Sequence, residues 1–213
     1  MGFAGWLPFL QCTHGVLSFD HSVEGSLAVG DETVVDFAGG RGYIEKDHGS
    51  KFPDLWIWMQ TNSFSRHPGT SVLFSVARIH LPLNVELPGF TAAVHHEGAV
   101  VPFASYSGAR FEAFEVTAGE VHLRIRGGGY VLDVTANREV PHVLLYGPVN
   151  GNSMEPTVSE ALSSSIRMVL TKADGTVVVD DVGGSAGLEV HGDVEWLKRN
   201  MCGEKTAGLV FCL

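Results

Sequence analysis

Helical periodicity is almost absent from these 213 residues, and so are the features that mark several common function classes. Basic charge is scarce: 14 Lys plus Arg stand against 24 Asp plus Glu, for a net charge of −10. Such a chain repels phosphate backbones and anionic headgroups, which excludes nucleic acid as a partner and leaves at most a peripheral contact with membranes. Cysteine is scarce too. Cys12, Cys202 and Cys212 are odd in number and lack metal-ligand spacing, which points to reduced thiols in a reducing compartment and away from a disulfide framework. The apolar first twelve residues have no basic n-region, no small-residue cleavage site and too little length to span a bilayer, so they read as folded protein. Met1-Gly2 is not a myristoylation signal, because the sixth position is Trp6. No G-x-S-x-G elbow occurs, and Gly39-Gly40-Arg41-Gly42 precedes a strand pattern, where a phosphate loop would precede a helix. His95-His96-Glu97 and Asp20-His21 are poor metal candidates, since neighbours on a strand point to opposite faces and no helical i,i+4 pair is present.

What the chain has is glycine and alternation. The 26 glycines cut it into short runs with apolar and polar residues at period two, the mark of half-buried strands. Val121 to Arg126 alternates apolar with basic or histidine side chains, Gly127-Gly128-Gly129 supplies a turn, and Tyr130 to Val134 returns, which predicts a hairpin. Similar runs cover Gly15 to Phe19, Thr33 to Phe37, Ser71 to His80, Val100 to Tyr106, Ile166 to Thr171 and Val177 to Asp180. Helix is expected only at Val158 to Ser164 and at Val194 to Asn200. So many antiparallel strands predict an all-β barrel or sandwich, because closure removes exposed edges. An apolar content of 45% is enough for a core.

The informative segment runs from Gly39 to Asn62. With Tyr43 to Asp47 extended, Tyr43, Glu45 and Asp47 share one face, while Ile44 and Lys46 share the other. In the next strand Trp56, Trp58, Gln60 and Asn62 share a face opposite Leu55, Ile57 and Met59. Two indoles followed by two amides suit a pocket for an amphipathic ring, since every buried amide must find partners. The plainer alternative is that the tryptophans plug a barrel and that Glu45, Lys46 and Asp47 form a solvated cluster.

Gly42-Tyr43-Ile44-Glu45-Lys46-Asp47, followed by Gly49, Phe52-Pro53, Trp56, Trp58, Gln60 and Asn62, closely resembles the signature of the tocopherol cyclase family, G-Y-x-E-K-x-W-G-x-x-F-P-x-x-W-x-W-x-Q-x-N. The resemblance extends to Cys12-Thr13-His14-Gly15-Val16, Asp20-His21, Gly147-Pro148, Gly151, Met154 and Ala186 to Val190. It implies an antiparallel lipocalin-like fold of the kind also found in carotenoid hydratase-type proteins. The chain then lacks roughly an N-terminal third, with residues 1–50 as the remainder of an N-terminal lipocalin-like portion and 51–213 as a more complete C-terminal lipocalin-like β domain. His48 stands where the family usually has Trp, which alters one wall of the expected pocket and makes it titratable.

The function so implied is closure of a prenylated benzoquinol to a chromanol: a proton adds to the prenyl double bond and the phenol oxygen captures the tertiary cation. The ligand is a hydrophobic small molecule, and no cofactor or metal is needed. Glu45 and Asp47 are the expected acids, each keeping the other's carboxyl protonated if both face one lumen. Trp56 and Trp58 supply an electron-rich wall, worth about 0.5–2 kcal/mol per indole toward a cation. Gln60, Asn62, Tyr43 or His14 would orient the phenol, His48 would line the altered wall, and Lys46 is expected in a structural ion pair. The competing reading is a non-catalytic carrier of a prenylquinone or other hydrophobic ligand. Either protein would work in the cytoplasm or at a membrane surface, or in a plastid if its source is photosynthetic and a transit segment is missing; the sequence leaves the oligomeric state open.

Overall fold

The computed structural model describes residues 10–31, 33–149 and 153–202. The protein is all-β and antiparallel apart from one C-terminal helix and short 3₁₀ turns. Four strands come first: β1 (Cys12–Val23), β2 (Ser26–Val29), β3 (Thr33–Asp36) and β4 (Gly40–Gly49). They form two two-stranded ribbons, β1 with β4 and β2 with β3. The next strands are β5 (Trp56–Thr61), β6 (Ser63–Phe64), β7 (Ser71–Leu81), β8 (Val85–His96), β9 (Ala99–Ala104), β10 (Arg110–Val116), β11 (Glu120–Gly127) and β12 (Tyr130–Asn137). The chain ends in β13 (His142–Val149), β14 (Ser153–Lys172), β15 (Val177–His191) and helix α1 (Val194–Cys202).

From β5 onward every strand joins one sheet, in the order β10-β11-β12-β14-β15-β5-β7-β8-β9, with β13 on β14 and β6 on β15. Sheet membership therefore changes between β4 and β5. Among the described residues no ladder joins the two ends of that path. Nonetheless Ile57, Phe74, Phe103, Leu123, Met168 and Leu188, drawn from six strands, pack in a single core, so the sheet must curve around it. Fully burying each such side chain stabilises the fold by about 1.5–3 kcal/mol. Helix α1 closes one side: Leu197 enters the core, and the Arg78 guanidinium lies 5.3 Å from the Trp196 ring.

The expected hairpin forms as β11 and β12. Gly128 and Gly129 occupy its two-residue loop at φ 57° and 82°, the left-handed pair that matches strand twist. The helix expected at Val194 to Asn200 is α1, but the one expected at Val158 to Ser164 is part of β14. The reason is physical. Val158, Ala161 and Ser164 are buried at spacing three, while the β14–β15 register shifts between Ala161 and Ser164 and again before Ile166. The shift between Ala161 and Ser164 inserts an extra residue into β14, so these two inward positions fall three apart, as in a helix. No helix among the described residues is long and apolar enough to cross a membrane. Cys12 and Cys202 are free thiols. Cys212 and most of the apolar N-terminal run lie outside the described residues.

Candidate functional site

The β1–β4 ribbon sets His14 directly across from Asp47 and Val16 across from Glu45. Strand alternation then puts His14, Tyr43, Glu45 and Asp47 on one face. There the Tyr43 hydroxyl donates to Glu45 Oε2 at 2.5 Å. His14 Nδ1 lies 2.9 Å from Asp47 Oδ1, and its Nε2 lies 3.7 Å from Glu45 Oε2, so one imidazole bridges both carboxylates.

This face looks across a cavity of about 670 Å³ at the large sheet, a volume within the range of small-molecule sites. The two faces of β5 divide as its alternation predicts. Leu55, Ile57 and Met59 are fully buried in the core, whereas Trp56 and Trp58 line the cavity on the opposite side. One rung of the sheet crosses five strands as Glu160, Glu189, Trp58, Ser75 and Thr91, and every member lines the cavity. Farther along β7 and β8 the wall gains the apolar side chains of Ile79, Leu81, Leu87 and Phe90, with Arg78 and His80 alternating between them and Arg110 nearby. One end is thus acidic and aromatic, and the other mixes apolar with basic side chains.

Burial governs the charges. The Glu45 carboxyl is raised above the ordinary range, chiefly by burial and also by Asp47, while the Tyr43 hydroxyl and His14 pull it back down. The Trp58 indole N–H, buried and without a partner at hydrogen-bonding distance, adds a pull from farther off. Glu189 is pushed up to about 7 by burial and then by the neighbouring Glu160, Asp47 and Glu45. Only the Trp56 indole, which donates to Glu189 Oε2 at 2.6 Å, opposes that shift. Glu160 is also raised by burial. Burial alone would lower His14, but the Asp47 hydrogen bond and the two carboxylate charges outweigh it and raise the imidazole. Cys12, on the same wall, is pushed up to about 12 by burial and Asp47. Such a wall can hold a proton at neutral pH and offer an acceptor beside it. Among the described residues no three His, Cys, Asp or Glu side chains are grouped as metal ligands.

Glu45, Asp47, His14, Trp56 and Trp58 therefore meet at the cavity. Tyr43 supports Glu45 from behind, outside the lining. Gln60 and Asn62 share the indole face by parity but lie beyond the cavity; Gln60 Nε2 is buried without a partner, and Asn62 Nδ2 donates to the Arg41 carbonyl at 3.5 Å. His48 does not line the pocket: it is exposed, and its carbonyl accepts from Thr13 Oγ1 at 2.9 Å. The reason is parity, because His48 alternates with Asp47 and falls on the face of Ile44 and Lys46. Lys46 is exposed and forms no ion pair among the described residues, contrary to expectation. Sequence reasoning missed Glu160 and Glu189. The signal available was weak: Glu189 is a single carboxylate between Leu188 and Val190 in an otherwise small and apolar run.

The family described as tocopherol cyclase-like matches residues 2–192. A rice protein (Oryza sativa subsp. japonica) described as a probable tocopherol cyclase, chloroplastic, is 23% identical over 201 residues, covering 89% of this chain and 42% of its own length. The chain thus spans less than half of that relative. No solved structure matches.

Proposed function

The chain belongs to the tocopherol cyclase-like family, and we propose that it closes a prenylated benzoquinol to a chromanol in the cavity between the β1–β4 ribbon and the large sheet. The observation that carries this reading is the meeting of Glu45, Asp47, Glu160 and Glu189 with two indoles at one end of a cavity of about 670 Å³. The aromatic head would lie at that end, with its prenyl tail along Ile79, Leu81 and Leu87.

Each requirement of the reaction has a candidate. The desolvated carboxyls of Glu45, Glu160 and Glu189 are raised toward keeping a proton, as addition to an alkene demands, while Asp47 is more exposed. Trp56 and Trp58 line the cavity as electron-rich rings that offer the developing tertiary cation no basic lone pair. His14 and the ionised members of the cluster can take the phenol proton. The chloroplastic relative supports a plastid setting where the source is photosynthetic.

The test is incubation with a prenylated benzoquinol in heavy water, followed by mass spectrometry. A chromanol carrying one carbon-bound deuterium is the expected product. Retention of the quinol by the protein without any turnover would instead identify a carrier, the second reading of the same cavity.

A further inference from the structure

Four carboxyls around one cavity leave open which of them moves the proton; their partners separate the ribbon pair from the sheet pair, and of the sheet pair Glu189 is held in place by a hydrogen bond while Glu160 makes none among the described residues. Glu45 is gripped by the Tyr43 hydroxyl at 2.5 Å and has an imidazole 3.7 Å away, partners that favour its charged form. Asp47 is paired with the same imidazole at 2.9 Å. Glu189 has no cationic partner among the described residues. It faces Glu160 on β14, Glu45, Asp47 and His14 on the ribbon, and the indoles of β5; His191 on its own strand is stacked on Trp56 at 4.2 Å. Its one neutral donor, the Trp56 N–H, occupies Oε2 and leaves Oε1 to carry a proton.

We propose that Glu189 is the catalytic acid, delivering the proton on Oε1 to the prenyl double bond, and that Glu45, held between Tyr43 and His14, receives the proton released by the phenol. This assignment rests on the cyclase reading. A C–H bond forms at the less substituted alkene carbon as the Glu189 O–H bond breaks. A phenol oxygen lone pair then closes the C–O bond on the tertiary cation, and the phenol proton passes to Glu45. No oxidant, reductant or co-reactant enters. One proton leaves the sheet and one arrives at the ribbon, so proton return from Glu45 to Glu189, across the His14 side of the cavity, resets the site.

The experiment combines rate against pH with carboxyl titration by NMR on glutamate-labelled protein. In the wild type the rate should fall as pH rises through about 7, where Glu189 loses its proton, and the Glu189 resonance should titrate there, coupled to that of Glu160. E189Q should lose that resonance and at least about 100-fold in kcat, while its affinity for a quinol with a saturated tail stays within about threefold of wild type. E45Q should keep the alkaline limb and lose the acidic one. W56F retains the acid but removes the donor that holds it down, so its alkaline limb should move to higher pH even if E189Q folds poorly. Near-wild-type turnover by E189Q with an unchanged alkaline limb would overturn the assignment and leave the cyclase reading standing. No chromanol from the wild type would remove both.

Discussion

Glu189 sits directly opposite Trp58 in the β15–β5 ladder, yet its hydrogen bond, 2.6 Å long, goes diagonally to the indole of Trp56. Diagonal reach is ordinary for long side chains on a twisted sheet. Here it keeps the carboxyl over the cavity and ties it to a ring already stacked on His191.

That placement makes stability depend on pH. A carboxyl raised in the folded state, from 4.5 to about 7, contributes stability that is fully present below its unfolded pKa and lost as pH rises through the folded value. Denaturant titrations should show the wild type weakening between about pH 4.5 and 7 from this group. Glu189→Gln should flatten that decline and be the more stable protein at pH 8.

Gly187 is a contact gauge for the indole wall. A Cβ there would meet Trp58 Cζ3 at 2.6 Å and Cη2 at 2.7 Å. Gly187→Ala should force the ring to move, costing about 1–3 kcal/mol as overpacking does. The expected readouts are a lower melting temperature, altered tryptophan fluorescence and weaker binding of a prenylquinol.

Asp181, almost fully buried, accepts hydrogen bonds from the Arg66 backbone N–H and Nε at 2.9 and 3.1 Å and from the Val182 N–H at 2.8 Å, and lies 3.0 Å from His67 Nδ1. Burial alone would raise its carboxyl, but His67, Arg66 and the backbone N–H groups outweigh it and hold it down to about 2. Its contribution is present above the unfolded value and lost as pH falls through the folded one. Asp181→Ala should cost about 1–3 kcal/mol at pH 7, and melting curves should show the deficit shrinking as pH falls from 4 toward 2.

Gly128 leads the β11–β12 turn with φ 57°, and a Cβ there would meet only the Pro102 carbonyl oxygen, at an ordinary 3.9 Å. Asn accepts that conformation and restricts the unfolded chain more than Gly does. Gly128→Asn should therefore leave the fold intact and stabilise it by up to about 1 kcal/mol, measured by denaturant midpoint.

Much of the site was legible because alternation is a local rule. The acidic face of β4 and the two faces of β5 follow from counting residues, and the cavity confirms which side each occupies. Parity says nothing of how far a pocket runs, so Gln60 and Asn62 share a face with the indoles and still lie outside. His48 stands out only against the family signature, and its own parity turns it outward. In β14 the local rule misled, since register shifts imitate helical spacing.

By itself the sequence determined many of the strands, the β11–β12 turn, the absence of a helical scaffold and the pairing of a carboxylate face with an indole face in one segment. Those depend on neighbours a few residues apart. Only the tertiary structure decided that Glu189, 133 residues from Trp56, completes the acidic wall, because strand register between distant segments is set by burial of the whole sheet. The same register, and no local pattern, brings Glu160 beside Glu189, where its charge adds to burial in raising the Glu189 carboxyl.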